Sequence, residues 1–332
     1  MKSSKKRPAF TFPYRFAIID LGTNSVRFDF YSVEKDLSIR RIHREKQMIR
    51  LGEKLFRERH LNTRAIHRAM AAFKHIAHMA QLFQVNHIRA VATSALRSTP
   101  EGKLLVRRIH KATGIKIKII SGLEEAHLIA AAVLKNEKLP SVPFALLDIG
   151  GGSAEISICQ GKKILCSASF ELGASRLHQL FLRGSPPRPS EAYPFPIASL
   201  RAHIATKLKV LKKRFPTCRT VLGSSGSIQS MRKLIKKSGE NIDPFSRKSV
   251  SHLVDILSEL TQVEILSIPG MEYKRADIIL AGAILLDETM EQLGWNRVFY
   301  TAFALRDGIL LDEIHAIQKR FALPLPLRMK KI

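Results

Sequence analysis

Two ten-residue segments carry the strongest chemical signal in the chain. Residues 16–25 read FAIIDLGTNS and residues 144–153 read FALLDIGGGS, so Phe, Ala, Asp, Gly and Ser recur at an offset of 128. Each segment is an apolar run that ends in an acid and a Gly/Ser-rich turn. Glycine lets backbone N–H groups approach an anion closely, and the Ser or Thr hydroxyls beside it add donors. An aspartate at the strand end can anchor Mg²⁺ through waters, because magnesium keeps much of its hydration shell. One such turn alone reads as an ordinary hairpin. Two at matching positions a domain apart describe a duplicated fold whose turns grip one phosphate chain from both sides.

Neither turn is a Walker A loop, since GxxxxGK[ST] is absent, and neither opens a Rossmann helix with GxGxxG. Each leads instead into a second strand, VRFDFYSV after the first turn and AEISICQ after the second. Between the copies, apolar residues at helical spacing (Ile66, Met70, Phe73, Ile76, Ala77, Ala80) predict a helix over 63–83. A strand over 87–93, a polar turn over 94–99, a helix over 100–113 and a strand over 115–120 follow. The next helix, over 121–134, has Ser121 as N-cap, Glu124 at the capping-box position and Glu125 in its first turn. Glu124 can be read as that cap alone. His75 and His78 have zinc-ligand spacing without a third ligand nearby, so they read as surface or core histidines.

The chain has 332 residues, 45% hydrophobic and 25% charged, which fits two globular domains and excludes wholesale disorder, collagen and coiled coil. It holds 55 Lys+Arg against 28 Asp+Glu, a net charge of +27 that calls for a polyanionic partner. Residues 192–239 lack any acid and hold Arg201, Lys207, Lys209, Lys212, Lys213 and Arg214 among their cations. Such a block either guides a phosphate polymer, binds nucleic acid non-specifically, or is a solvated face. Tyr193, Phe195 and Phe215 are too few to favour sequence-specific RNA recognition. No apolar run is long enough for a membrane span, the basic start lacks a signal-peptide h-region, and the three cysteines have no CxxC spacing. The expectation is a cytoplasmic protein with reduced thiols. The Pro-rich 183–196 stretch reads as a loop, Trp295 as core or interface, and Gly282 as a close approach to a ligand or a packed helix. The last residues, FALPLPLRMKKI, read as a tail or a homodimer contact.

Several further segments, in order, resemble one family: DLGTNSVR from residue 20, ATSALR from 92, ISGLEEAHLI from 120 and LLDIGGGSAEIS from 146. LGASRL from 172, GSSGSIQSM from 223, RADIILAGAILL from 275 and ALRDGIL from 304 complete the set. Together they are similar to the exopolyphosphatase / guanosine pentaphosphate phosphatase (Ppx/GppA) family in its short two-domain form, without an HD-type helical extension. The resemblance implies an α/β fold of two ribonuclease-H-like domains of the actin/Hsp70/sugar-kinase superfamily with a cleft between them. The expected boundaries are 1–138 and 139–332, with the last helix packing back on the first domain.

The resemblance also implies roles. Glu124, the first acid of the EEA triplet, would be the catalytic base and Arg97 would neutralise the transferred phosphoryl. Asp20, Asp148 and Glu155 would hold Mg²⁺ or its waters. Gly22, Thr23, Asn24 and Ser25 on one side, Gly150, Gly151, Gly152 and Ser153 on the other, and the third loop Gly223, Ser224, Ser225 and Gly226 would bind phosphate. Thr23, Ser98, Thr99, Ala154 and Ser175 depart from the usual motifs, and none removes a charged group. The implied activity is Mg²⁺-dependent hydrolysis of the terminal phosphate of inorganic polyphosphate. The alternatives are the 5′ γ-phosphate of guanosine pentaphosphate and a non-catalytic polyphosphate or nucleic-acid binder.

Overall fold

The computed structural model describes residues 11–182, 186–188, 195–214, 216, 218–237, 244–323 and 328–329. The first repeat becomes β1 (Tyr14–Leu21), which turns into β2 (Ser25–Val33) and then β3 (Ser38–Met48), all antiparallel. β4 (His87–Ala92) and β5 (Ile117–Ile119) add in parallel on the other side of β1. The second repeat becomes β6 (Phe144–Ile149), followed by the antiparallel strands β7 (Ala154–Gln160) and β8 (Lys163–Phe170). β9 (Thr220–Ser224) pairs parallel to β6, β10 (Phe245–Ser246) edges the sheet, and β11 (Arg297–Tyr300) pairs parallel to β9. A short strand β12 (Arg328–Met329) joins the edge of the first sheet beside β3.

The sheet orders are β12-β3-β2-β1-β4-β5 and β10-β11-β9-β6-β7-β8. Stripped of the edge additions, both run 3-2-1-4-5 with a three-strand meander and two parallel strands, which is the ribonuclease-H-like arrangement. The repeat in the sequence is thus a repeat of topology. β1 and β6 are nearly continuous apolar runs because helices cover both faces of each sheet.

On the first sheet, Thr63–Leu82 and Glu101–Thr113 cover one face through Phe73, Ile76, Leu105 and Ile109. The other face is covered by Gly122–Asn136 and by the last helix, Leu305–Phe321, which returns from the second half of the chain to pack on Phe16, Ile18 and Val91. Gly122–Asn136 also packs Ala130, Val133 and Leu134 against Phe144 and Leu146 of the second sheet. Its GLEEAHLIAAAVLKN sequence is apolar nearly all round, as a helix wedged between two sheets must be. The second sheet is covered by Pro196–Arg214, Ser225–Lys237, Arg247–Glu259 and Ile279–Leu293. A Cβ built on Gly282 would stand 3.6 and 3.8 Å from the Cβ atoms of Ala174 and Ser227, so the position faces protein packing, and Trp295 is buried in the core. Most of the 183–196 stretch and of the C-terminal tail lies outside the described residues. Among the described residues no helix is long and apolar enough to cross a membrane.

Asp29, buried on β2, anchors the returning helix. Its carboxylate accepts from Arg44 at 2.6 Å, from Arg306 at 3.0 Å and from the Tyr31 hydroxyl at 3.1 Å. Removing one partner of a buried pair strands the other charges, which costs about 3–5 kcal/mol. Asp29→Asn is therefore expected to lower the unfolding free energy by about that amount in urea titration.

Candidate active site

The two turns close identically. Gly22 N–H donates to the Ser25 carbonyl at 3.0 Å, and Gly150 N–H donates to the Ser153 carbonyl at 3.0 Å. They face each other across the seam between the sheets, so that a Cβ built on Gly151 would stand 2.9 Å from Thr23 Cβ. Between them lies a cavity of about 120 Å³, lined by all of residues 22–25 and 150–153. Asp20, Asp148, Ser225 and Gly226 also line it. The close approach is set from behind by Gly173, where any Cβ would collide with the backbone of Gly151 and Gly152.

Contacts across the seam hold the turns in register. Asn24 Nδ2 donates to Ser175 Oγ at 2.9 Å, Gln179 bridges the Phe56 amide and the Gly52 carbonyl, and Arg50 pairs with Asp277 at 3.4 Å. The Arg176 guanidinium lies 4.3 Å over the Phe56 ring. The Asn24 side chain is therefore engaged in the seam, and what it offers a phosphate is its backbone.

Of the two adjacent glutamates, it is the second that enters the cleft. Glu124 has a side chain 32% exposed and ion-paired to Lys118 Nζ at 2.6 Å, while its N–H donates to the Ser121 cap. It does not line the cavity, so the structure does not bring the expected base, Glu124, into the cleft. Glu125 is buried, lines the cavity and accepts from Arg97 Nη1 at 3.2 Å. Burial pushes its carboxyl up to about 7; Arg97 opposes that shift and the Asp148 carboxylate adds to it. Arg97 is itself fixed by the Ile120 carbonyl at 2.8 Å and reaches Ser153 Oγ at 3.4 Å.

The three expected metal ligands do not converge into a cage: among the described residues no group of three or more His, Cys, Asp or Glu side chains is placed to hold a metal ion. Asp20 and Asp148 line the cleft, and burial raises both carboxyls. Asp148 accepts from the Ser224 hydroxyl. Glu155 lies beneath the cavity instead. Its Oε1 accepts from Ser169 at 2.8 Å, and burial next to Glu125 and Asp148 holds its carboxyl well above the usual range against the opposing hydroxyls of Ser169 and Ser153. These hard oxygen donors would suit a divalent cation that keeps most of its waters, with Asp20 and Asp148 as the residues that would hold it.

The cations of the cleft are Arg27 and Arg275, which line it, with Lys46 close behind. Burial, then Arg27 and Arg275, pushes the Lys46 ammonium down to about 8. Arg27 and Arg275 stand in motifs that were legible, DLGTNSVR and RADIILAGAILL, but their types alone did not mark them as cations of the cleft wall. Arg275 packs its guanidinium against Gly226, where a Cβ would displace it. Gly223, by contrast, sits inside β9 against Ile228 and Val298 and does not line the cavity.

The basic 201–214 helix lies elsewhere. Arg201 turns inward to Asp287 at 2.7 Å and Glu288 at 3.2 Å, so it serves the core of the second half, not a guiding surface. Lys207 and Lys209 are exposed and line no part of the cavity. The side chains of Lys212, Lys213 and Arg214 lie outside what is described.

A model of the Ppx/GppA phosphatase family matches residues 32–317. The chain belongs to the Ppx/GppA phosphatase family. It is 26% identical over 319 residues to Exopolyphosphatase 2 of Mycobacterium tuberculosis, covering 90% of this chain and 98% of the relative. It is 28% identical over 307 residues to an uncharacterised protein of Streptomyces coelicolor, covering 90% of each. The crystal structure of an exopolyphosphatase from Cytophaga hutchinsonii superposes with a TM-score of 0.80 at 26% identity, over 91% of this chain and 98% of that one. A Ppx/GppA enzyme of Aquifex aeolicus shares the fold, with a TM-score of 0.70 at 23% identity over 90% and 99% of the chains. As a family member the protein is a hydrolase of phosphoanhydride bonds, and the reading as a mere binder is set aside.

Gly151→Ala inserts a Cβ 2.9 Å from Thr23 Cβ and parts the two turns. Calorimetry is expected to show the Kd for tripolyphosphate rising about tenfold, equivalent to about 1.4 kcal/mol.

Proposed function

We propose that the protein is an exopolyphosphatase, cleaving the terminal phosphate from inorganic polyphosphate to release orthophosphate. The observation that carries the reading is Glu125, a buried carboxylate poised near neutrality, set beside Arg97 in a cleft walled by two opposed Asp-Gly-Ser turns. The terminal phosphoryl sits between the turns and takes hydrogen bonds from their backbone N–H groups. Arg97, Arg27 and Arg275 balance its charge. Glu125 orients a water in line with phosphorus and takes its proton. As the new P–O bond forms, the bond from phosphorus to the bridging oxygen breaks and the shortened chain departs with that oxygen. Asp20 and Asp148 are the residues that would hold Mg²⁺ through its waters. The cation supplies charge neutralisation at the phosphate oxygens. The three free thiols, Cys159, Cys166 and Cys218, fit a reducing compartment such as the cytoplasm.

The base works only when deprotonated, and a carboxyl raised to about 7 is largely protonated below that pH. The kcat/KM for polyphosphate is therefore expected to climb with pH through about 7 and then level off, a limb set by Glu125 in the free enzyme. Glu125→Gln is expected to reduce orthophosphate release by roughly 10²–10⁴-fold, and Glu124→Gln by only a small factor. An inactive Glu124→Gln beside an active Glu125→Gln would reverse the assignment.

Hydrolysis of guanosine pentaphosphate is the second reading. Ser225 and Gly226 of the third loop line the cleft beside the two turns and add small polar groups there. Comparing kcat/KM for the two substrates in competition is the deciding measurement, with polyphosphate expected to prevail.

A further inference from the structure

The acid-free 192–239 block is not the only depleted stretch. Residues 59–123 hold twelve Lys+Arg and a single acid, Glu101. That one carboxylate is engaged, accepting from the Leu61 N–H at 2.5 Å. The stretch forms the helical layer on one face of the first sheet, and its outward residues make a pattern. Arg64, His67, Lys74 and His78 recur at helical spacing along Thr63–Leu82, and Lys103, Arg107 and Lys111 do so along Glu101–Thr113; all are exposed. Arg108 is exposed beside them. Among the described residues the nearby ion pairs are made by other cations, so no carboxylate neutralises Lys74, Lys103, Arg107, Arg108 or Lys111.

Both helices start at the cleft and run away from it. Glu101–Thr113 follows the turn of helix Ser94–Arg97, whose Ser94 lines the cavity, and the Leu61–Glu101 bond ties the start of the other helix to the same end. Thr63–Leu82 finishes at the opposite end, where Arg15 at the start of β1 donates to the Phe83 carbonyl at 3.0 Å. At about 1.5 Å per residue, the 20- and 13-residue helices carry cations over about 30 and 20 Å. Their positive N-terminal ends lie at the same end of the sheet as the cleft.

We propose that this helical face is an anchoring track for the distal part of a long polyphosphate chain whose end is held in the cleft. The large apolar side chains exposed on these two helices are Leu82 and Leu104, with no aromatic to stack on bases, so the face fits a phosphate chain better than single-stranded nucleic acid. The track rests on polyphosphate as the substrate, and it predicts affinity that grows with chain length without a larger active site. A protein held at several points along a polymer stays attached between turnovers.

The test is binding of fluorescently labelled long-chain polyphosphate, which reads the face whether or not the wild-type protein turns the polymer over. Lys74→Glu, Lys103→Glu, Arg107→Glu and Arg108→Glu combined are expected to weaken it at least about tenfold. They should also flatten the slope of log affinity against log salt by about 3, since each lost phosphate contact contributes roughly 0.7. Tripolyphosphate hydrolysis should be unchanged, and the corresponding Gln variants should give a smaller loss in the same direction if reversal impairs folding. Unchanged long-chain affinity and slope would overturn the proposal, as would an equal loss from Lys207→Glu with Lys209→Glu. Tighter retention of duplex RNA than of polyphosphate by the same four residues would overturn it in favour of a nucleic-acid face. Absent orthophosphate release by the wild type with intact long-chain binding would sink the catalytic reading alone.

Discussion

Four carboxylates removed from water at one seam are the constraint on which the molecule is built. Asp20, Glu125, Asp148 and Glu155 come from both sheets and from the helix between them, and burial raises the carboxyl of each. Buried like charges are unfavourable unless cations and hydrogen-bond donors oppose them. Here Arg27, Arg97 and Arg275 supply the charge, and Ser224 and Ser169 supply donors. The glycine contacts, the Asn24–Ser175 bonds and the Arg176–Phe56 stack hold this arrangement closed. A site already crowded with negative charge can admit a polyanion only where cations and hydrogen-bond donors offset its own acids, and the arginines of the seam stand where they do so.

The register of the duplicated hairpins shows how the two halves were differentiated. Asp20 stands opposite Arg27 across β1 and β2, and Asp148 stands opposite Glu155 across β6 and β7. The second pair is the first displaced by the same 128 residues, so one register position holds a cation in one half and a carboxylate in the other. The first half thus sets a cation at the wall of the cleft, and the second sets a buried acid whose own carboxyl is raised by burial and by Glu125.

Much of this was legible before any coordinates. The offset repeat, the strand-turn-strand grammar and the order of motifs correspond to the topology, and the helices over 63–83 and 100–113 differ from the observed ones by a residue at an end. What resisted reading depended on rotation and on distant partners. Glu124 and Glu125 differ by about 100° around a helix axis, and which one faces the cleft depends on where the sheets lie. The capping geometry was the available hint, since it ties Glu124 to Ser121 and leaves Lys118 of β5 to collect its carboxylate. Arg201 looked like a surface cation because its partners, Asp287 and Glu288, lie more than 80 residues along the chain. The basic layer over 59–123 escaped attention because its cations are spread out rather than clustered, and only the fold gathers them on one face.

The return of Leu305–Phe321 to the first sheet bears on how the chain acquires its structure during synthesis. Phe16, Ile18 and Val91 lie against Leu305, Ile309 and Ile314, so one face of the first sheet is covered only in part, by Gly122–Asn136, until nearly the whole polypeptide has been made. The first half therefore cannot finish folding as an independent unit ahead of the second, although its five main strands are complete by Ile119. A nascent chain of this kind carries an apolar sheet face through most of translation. The same dependence means that no working cleft can exist in a truncated chain, because the helix that closes the first half also brings Ala304 and Leu305 to line it.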